Sequence, residues 1–152
     1  MLKNIDPLLN AELLGVLRAM GHGDDIIVVD VNYPAASTAA DTVHGKVIQM
    51  GGADTARVVQ AILSVMPLDA FVDAPAARME VVGAPDEVPP VQSEVQAKID
   101  AAESKSWPMQ SIERMAFYEH AKSSYAVVAT GDRRFYGCFS LKKGVIGPDE
   151  GA

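Results

Sequence analysis

Segments with helical spacing of apolar residues alternate along the chain with short runs of consecutive apolar residues. The first helical segment starts after Asn10, a favourable N-cap residue, and ends at Gly21. Another stops before Pro67, because the residue that precedes a proline disfavours helical geometry, and a third begins at Ser93 in a capping box. The spacing predicts helices over residues 10–20, 54–66, 93–102 and 114–121.

The continuous apolar runs indicate strands that are buried on both faces of a sheet. The run that ends at Asp30 is soon followed by Pro34, which excludes a continuing central strand. A charged turn separates the last two runs and predicts a C-terminal β-hairpin. The predicted strands are residues 26–30, 46–50, 78–82, 125–130 and 135–141. This alternation predicts a single α/β domain of three layers, with a mixed β-sheet flanked by helices and a surface loop and helix at about residues 86–110.

Composition narrows the choice of partners and compartment. The net charge of −7 at pH 7 argues against a nucleic-acid binder, which needs clustered lysines and arginines. The apolar runs are far shorter than the about 20 residues of a membrane span, and the first residues lack the apolar core of an export signal. The single cysteine, Cys138, has no partner for an internal disulfide. We therefore expect a cytoplasmic protein with neither a nucleic-acid nor a membrane partner.

The candidate for proton transfer is His22, which has a glycine on each side and precedes the strand that ends at Asp30. Glycine allows backbone conformations that let a histidine point into a cleft, and histidine can donate or accept a proton near neutral pH. The ordinary alternatives are a solvated loop histidine and a carboxylate that caps the following loop. His44 and His120 fit surface positions, and without further ligands we expect no zinc site.

Several other residues also have interpretations that require no ligand. Arg114 and Glu119 fit a solvated ion pair on a helix, which contributes little stability. Tyr118 and Tyr136 fit half-buried core positions. Cys138, in an apolar run, fits an inert buried thiol better than a nucleophile.

Four groups of segments match one family in order and spacing. They are residues 1–9 with 20–24, Asp30 with Tyr33 and Pro34, residues 114–119, and residues 130–132 with 136–138 and 141–144. Together they cover essentially the whole chain and resemble the fucose mutarotase and ribose pyranase family, closer to its L-fucose mutarotase branch. The family motif Tyr-Gly-Asn is here Tyr136-Gly137-Cys138, so an amide that can bond a sugar hydroxyl is missing.

The resemblance implies an isomerase that interconverts the α and β anomers of a reducing monosaccharide, with L-fucose as the expected substrate. By position it implies His22 as the general acid and Asp30 and Arg114 as ligands of sugar hydroxyls. The other sugar contacts that it implies are Tyr118, Tyr136, Gly137, Cys138 and Asp69. Opening and closing a cyclic hemiacetal needs only proton transfers, so we expect no metal, nucleotide or redox cofactor.

The resemblance also implies a homo-oligomeric ring, commonly a decamer, in which the C-terminal segment of one subunit closes the site of its neighbour. An oligomer is expected for a second reason, because a strand as apolar as residues 135–141 would leave an exposed sheet edge. Two alternatives remain open. A non-catalytic monosaccharide-binding or regulatory protein would bind sugar without turnover, and a ring-forming structural protein would bind none.

Overall fold

The computed structural model describes residues 2–150, which fold around one six-stranded sheet. Its strands are β1 Asp25–Val29, β2 Val47–Met50, β3 Ala76–Met79, β4 Gln110–Ile112, β5 Ala126–Thr130 and β6 Phe139–Lys142. Its helices are α1 Ala11–Ala19, α2 Ala35–Ala39, α3 Thr55–Leu63, α4 Pro90–Ala102 and α5 Arg114–Lys122. No helix among these residues is long and apolar enough to cross a membrane.

Helices cover both faces of the sheet, which confirms the predicted single domain with a mixed sheet flanked by helices. The core on one face joins α1, α3 and α4 to side chains such as Phe139, which is fully buried. The core on the other face joins α2 and α5 to the sheet around Phe117, also fully buried. Each such side chain contributes about 1.5–3 kcal/mol through burial.

The strand order β2-β5-β1-β6-β3-β4 corrects the predicted C-terminal hairpin. β6 does not pair with β5; it lies between β1 and β3 and is antiparallel to both. The physical reason lies just before β6. Phe135 is 73% exposed and Tyr136 has a φ of 61°, so the chain cannot extend as a strand from residue 135. Because β6 is an interior strand, the predicted exposed sheet edge at residues 135–141, from which an oligomer was expected, is also wrong.

Local caps explain the helices that the sequence predicts best. The side chain of Asn10 accepts a hydrogen bond from the backbone N–H of Leu13 at 2.8 Å, as an N-cap should. The prediction for α4 is wrong at its start, because the helix begins at Pro90 and Ser93 is an exposed residue within it. Proline suits the first position of a helix, where no N–H partner is needed.

Some elements differ from the prediction in extent or were missed. The predicted strand over 78–82 is instead Ala76–Met79, because Val81 and Ala84 close a tight turn through Gly83 at a φ of 76°. Helix α2 and strand β4 are short and have no apolar period that predicts them. The predicted surface helix α4 is packed more deeply than expected, since Val95 and Ile99 are fully buried in the core that includes α3.

Candidate active site

A pocket of about 420 Å³ opens where β1 ends. It collects four of the predicted polar or aromatic site residues, which are Asp30, Arg114, Tyr118 and Tyr136, together with Cys138. The remaining lining residues are Asn32, Tyr33, Met79 and Phe135. We call this cavity the Asp30 pocket. The lining combines apolar and aromatic side chains with a few hydrogen-bonding groups, a combination typical of small-molecule sites.

Asp30 organises the floor of the Asp30 pocket. Its side chain is buried, and one oxygen accepts a hydrogen bond from the backbone N–H of Asn32 at 2.8 Å. The other oxygen accepts one from the N–H of Gly137 at 3.0 Å and lies 3.5 Å from Sγ of Cys138. Burial first, and then the charge of Asp30, raise the pKa of the Cys138 thiol well above its usual value. Asp30 therefore holds the loops of Asn32 and Gly137, and the raised pKa of the buried Cys138 thiol disfavours its thiolate. Both residues also line the pocket.

A buried polar network fixes Tyr136 in its left-handed conformation, which costs a non-glycine residue about 1–2 kcal/mol. The amide nitrogen of Gln92 donates to the carbonyl oxygens of Tyr136 at 3.1 Å and Met79 at 2.7 Å. Arg78 in turn donates to the amide oxygen of Gln92 at 2.9 Å. The hydroxyl of Tyr136 accepts a bond from the N–H of Val82 at 3.2 Å. Sequence reasoning missed Gln92, because its partners are main-chain carbonyls that carry no sequence signal, and it missed Arg78, which acts through Gln92.

Helix α5 brings Arg114 and Tyr118 to the Asp30 pocket one turn apart. Arg114 is exposed, and Glu119 pairs with Lys122 at 2.7 Å, so the proposed ion pair between Arg114 and Glu119 is wrong. The ring of Tyr118 is half-buried against Tyr33, with ring centroids 5.3 Å apart. Burial raises the pKa of Tyr33 to about 12. Arg114 therefore lines a pocket that aromatic rings shape.

His22 and Asp69 lie elsewhere and form a second cluster, the His22–Asp69 pair. Nε2 of His22 is 3.0 Å from a carboxylate oxygen of Asp69. The His22 side chain is 45% exposed, whereas that of Asp69 is 3% exposed. Burial raises the pKa of Asp69, but hydrogen bonds from the N–H of Phe71 and from His22, with the charge of Lys142, outweigh it and lower the pKa overall. The exposed ring of Phe71 lies 5.5 Å from the imidazole, centroid to centroid.

The two clusters sit at opposite ends of β1 in one chain. His22 precedes the strand and Asp30 follows it. At about 3.3 Å per residue, the five steps from Asp25 to Asp30 span about 17 Å. A single chain therefore does not bring His22 to the Asp30 pocket, and the predicted site is divided in two. Among residues 2–150, no group of three or more His, Cys, Asp or Glu side chains is arranged to hold a metal ion.

Comparisons with known proteins identify the class. The model of the RbsD / FucU transport protein family matches residues 3–146, and the chain belongs to this family. It is 39% identical over 145 residues to the L-fucose mutarotase of Actinobacillus pleuropneumoniae serotype 5b, which covers 95% of this chain and 97% of the relative.

Two solved structures agree with this assignment. The crystal structure of protein Atu2016 is 58% identical, with a TM-score of 0.94 and coverage of 97% of both chains. The fucose mutarotase of Streptococcus pneumoniae, solved in complex with L-fucose, is 36% identical, with a TM-score of 0.86 and coverage of 96% of this chain and 100% of that one.

Proposed function

We propose that this chain is a sugar mutarotase that interconverts the α and β anomers of L-fucose. The observation that carries the proposal is the His22–Asp69 pair, a half-exposed imidazole held at 3.0 Å by a buried carboxylate. Full-length likeness to named L-fucose mutarotases and to a fucose complex supports the substrate.

The pair fits the chemistry of anomer exchange. Ring opening breaks the bond between the anomeric carbon and the ring oxygen, which takes up a proton while the anomeric hydroxyl loses one. Reclosure on the other face of the carbonyl reverses both transfers. Asp69 engages Nε2 of His22, which leaves Nδ1 for the sugar. His22 then acts as the general acid and, in the reverse direction, as the general base.

The Asp30 pocket supplies the groups that would bind the sugar. The guanidinium of Arg114 offers fixed donors, and the hydroxyls of Tyr118 and Tyr136 can donate or accept. Asp30 already accepts three hydrogen bonds, but a carboxylate has about four acceptor positions, which leaves one for a sugar hydroxyl. Gly137 shapes the floor through its bond to Asp30.

We further propose that the complete site forms between two copies of the chain, in a ring whose expected size is a decamer. About 17 Å separates the two clusters along β1, which is too far for one sugar to bridge. Each cluster also has an exposed aromatic side chain beside it, Phe71 at 75% and Phe135 at 73% exposure. Aromatic residues are enriched at protein–protein interfaces, which supports a partner at these two positions. Contact between the His22–Asp69 pair of one copy and the Asp30 pocket of the next would complete the site.

A cytoplasmic location is part of the same proposal.

Saturation-difference proton NMR on a panel of reducing sugars tests the function. One anomeric signal is irradiated and the other is followed, with wild type, His22→Ala and His44→Ala. We expect wild type and His44→Ala to accelerate exchange of L-fucose and His22→Ala to lose it. His44 is the matched control because it pairs with Glu12 at 3.1 Å and belongs to neither cluster. Size-exclusion chromatography of His22→Ala should show an unchanged assembly.

Each other outcome overturns a defined part of the proposal. Line broadening of a sugar without exchange would select the non-catalytic sugar-binding protein. Silence across the panel would refute the mutarotase. Full activity of His22→Ala would remove His22 from the proton transfer.

A further inference from the structure

The loop that carries Asp69 is fastened by the end of β6. The carbonyl oxygen of Lys142 accepts a hydrogen bond from the N–H of Asp69 at 3.1 Å. Two residues later, the N–H of Gly144 donates to the carbonyl of Pro67 at 2.9 Å. A Cβ on Gly144 would collide with the backbone carbonyl of Leu68, so this close approach requires glycine. Asp69 is therefore held by main-chain contacts to residues 142–144.

The loop that carries His22 is fastened by the same segment. The N–H of Lys143 donates to the carbonyl of Asp24 at 2.9 Å, and the carbonyl of Lys143 accepts from the N–H of Gly23 at 2.9 Å. The ammonium of Lys143 donates to the carbonyls of Leu17 at 2.7 Å and Met20 at 2.6 Å, where α1 ends. These bonds fix the backbone on both sides of His22. None of them reaches the carbonyl oxygen or the imidazole ring of His22 itself.

The side chain of Lys142 adds a contact next to His22. Its ammonium donates to the carbonyl of Gly23 at 3.1 Å and to a carboxylate oxygen of Asp25 at 2.8 Å. Gly23 has a φ of 84°, which is a conformation that glycine adopts easily and leaves easily. The hydrogen bond from Lys142 to the Gly23 carbonyl therefore restrains the backbone of the His22 loop at its glycine, where the dihedral angles can change most easily.

Asp25, the partner of the Lys142 ammonium, is itself held by further side chains. The other oxygen of Asp25 accepts from the hydroxyl of Ser140 at 3.4 Å, and that hydroxyl lies 2.8 Å from Nε2 of His120. The Lys142 side chain is 28% exposed and that of Asp25 is 15% exposed, so solvent screens this ion pair only in part. His120, which the sequence suggests is a surface residue, is half-buried and belongs to this cluster.

We propose that Lys142 is a positioning residue that holds the imidazole of His22 against Asp69, an inference that rests on the proposed mutarotase function. Lys142 contacts the loops of both partners, Asp69 through its backbone oxygen and the His22 loop through its ammonium at Gly23. Removing the ammonium keeps the Asp69 bond and frees the Gly23 carbonyl. The ring of His22 would then sample orientations away from Asp69, while the sugar-binding groups of the Asp30 pocket stay unchanged.

The test compares wild type, Lys142→Met, Lys142→Arg and Lys122→Met in the full-length protein. Methionine keeps most of the aliphatic stem, and arginine restores the charge and the donors. Lys122 is the matched control, because its partner Glu119 lies on an exposed helix face. The rate of anomer exchange at a series of L-fucose concentrations gives kcat and KM. Relaxation of the 13Cε1–1H group of His22 measures the order of the ring without any need for turnover.

For Lys142→Met we expect kcat to fall at least tenfold with KM within twofold of wild type, and the His22 ring to lose order. Lys142→Arg should recover kcat to within about threefold, and Lys122→Met should match wild type in both measurements. Wild-type kcat and ring order in Lys142→Met would overturn the inference, as would a change in KM alone. A wild type that catalyses no exchange would refute the proposed function instead, and ring order would still decide whether Lys142 holds His22.

Discussion

Replacing Asp30 by asparagine tests whether this carboxylate holds the loop that forms the Asp30 pocket. The two oxygens of Asp30 serve different donors, the N–H of Asn32 at 2.8 Å and the N–H of Gly137 at 3.0 Å. Asparagine has almost the same shape but only one acceptor oxygen, so its NH₂ group must face one of these N–H donors. The N–H of Gly137 is buried, so its loss of an acceptor is costly, whereas Asn32 is exposed and its N–H can bond to water.

The size of the effect follows from this exchange of partners. A buried donor left unsatisfied costs about 1–3 kcal/mol, and the bonds that remain lose the assistance of the negative charge. Relief from burying a charge offsets part of that cost. We expect the region around Gly137 to lose about 2 kcal/mol of stability against local opening. Since 1.4 kcal/mol is a factor of ten, this loss corresponds to about 30-fold faster amide exchange at Gly137.

Hydrogen–deuterium exchange of the Gly137 amide is the direct assay, with Asp86→Asn as the matched control. Asp86 is exposed in the loop before α4, so the same chemical change there should leave the Gly137 amide at its wild-type rate. The KM for L-fucose should rise in Asp30→Asn, because the pocket floor loosens. A Gly137 exchange rate within threefold of wild type would refute the role assigned to Asp30 in holding this loop.

Two further changes test packing and pH dependence. Gly137→Ala should cost about 1–3 kcal/mol in urea unfolding, because the new Cβ would lie 3.3 Å from both Cβ of Asp30 and Oγ1 of Thr55. Gly52→Ala, which meets open space, is its control, and equal midpoints for the two variants would contradict this reasoning. The folded-state pKa of Tyr33 is raised from 10.0 to about 12, so its neutral hydroxyl supports the fold below pH 10 and this support is lost as pH rises towards 12. Wild type should therefore lose about 2–3 kcal/mol more than Tyr33→Phe between pH 9.5 and 12 in urea unfolding, and parallel curves would show that Tyr33 titrates freely.

The helices were predictable where the signals are local. The N-cap of Asn10 and the apolar period that follows it depend on neighbouring residues, so the sequence alone predicts α1. Strand pairing is not local, and a turn-like sequence between β5 and the run at 135–141 looked like a hairpin although β6 pairs with β1 and β3. Tyr136 has a positive φ, which prevents the strand from starting at residue 135. Nothing about a tyrosine in the sequence predicts that conformation.

The site, like the fold, was predictable from the sequence only in part. Resemblance identified five of the residues that line the Asp30 pocket, including Arg114 and Tyr136, but not Asn32, Met79 or Phe135. The sequence places His22 before β1 and Asp30 at its end, as the structure does, but the resemblance assigns both residues to one site and does not show that the length of the strand separates them. It did not reveal Gln92, whose contacts are with backbone carbonyls. Lys142 lies in the matched segment 141–144, but its bond to the carbonyl of Gly23 has no signal in the sequence.

The antiparallel pairing of β1 with β6 accounts for both clusters at once. Asp25 of β1 lies opposite Lys142 of β6, and Val28 lies opposite Phe139. Residues that follow β1 therefore meet residues that precede β6, which joins Asp30 to residues 136–138. At the other end, residues that precede β1 meet those that follow β6, which joins the His22 loop to residues 142–144. If β6 paired with β5, as the predicted hairpin required, residues 136–138 would lie one strand further from Asp30. Lys142 would then lie beside the start of β5 and not beside the start of β1. Any change that weakens the β1–β6 pairing is therefore expected to impair sugar binding and proton transfer together, although about 17 Å separates the two groups of residues.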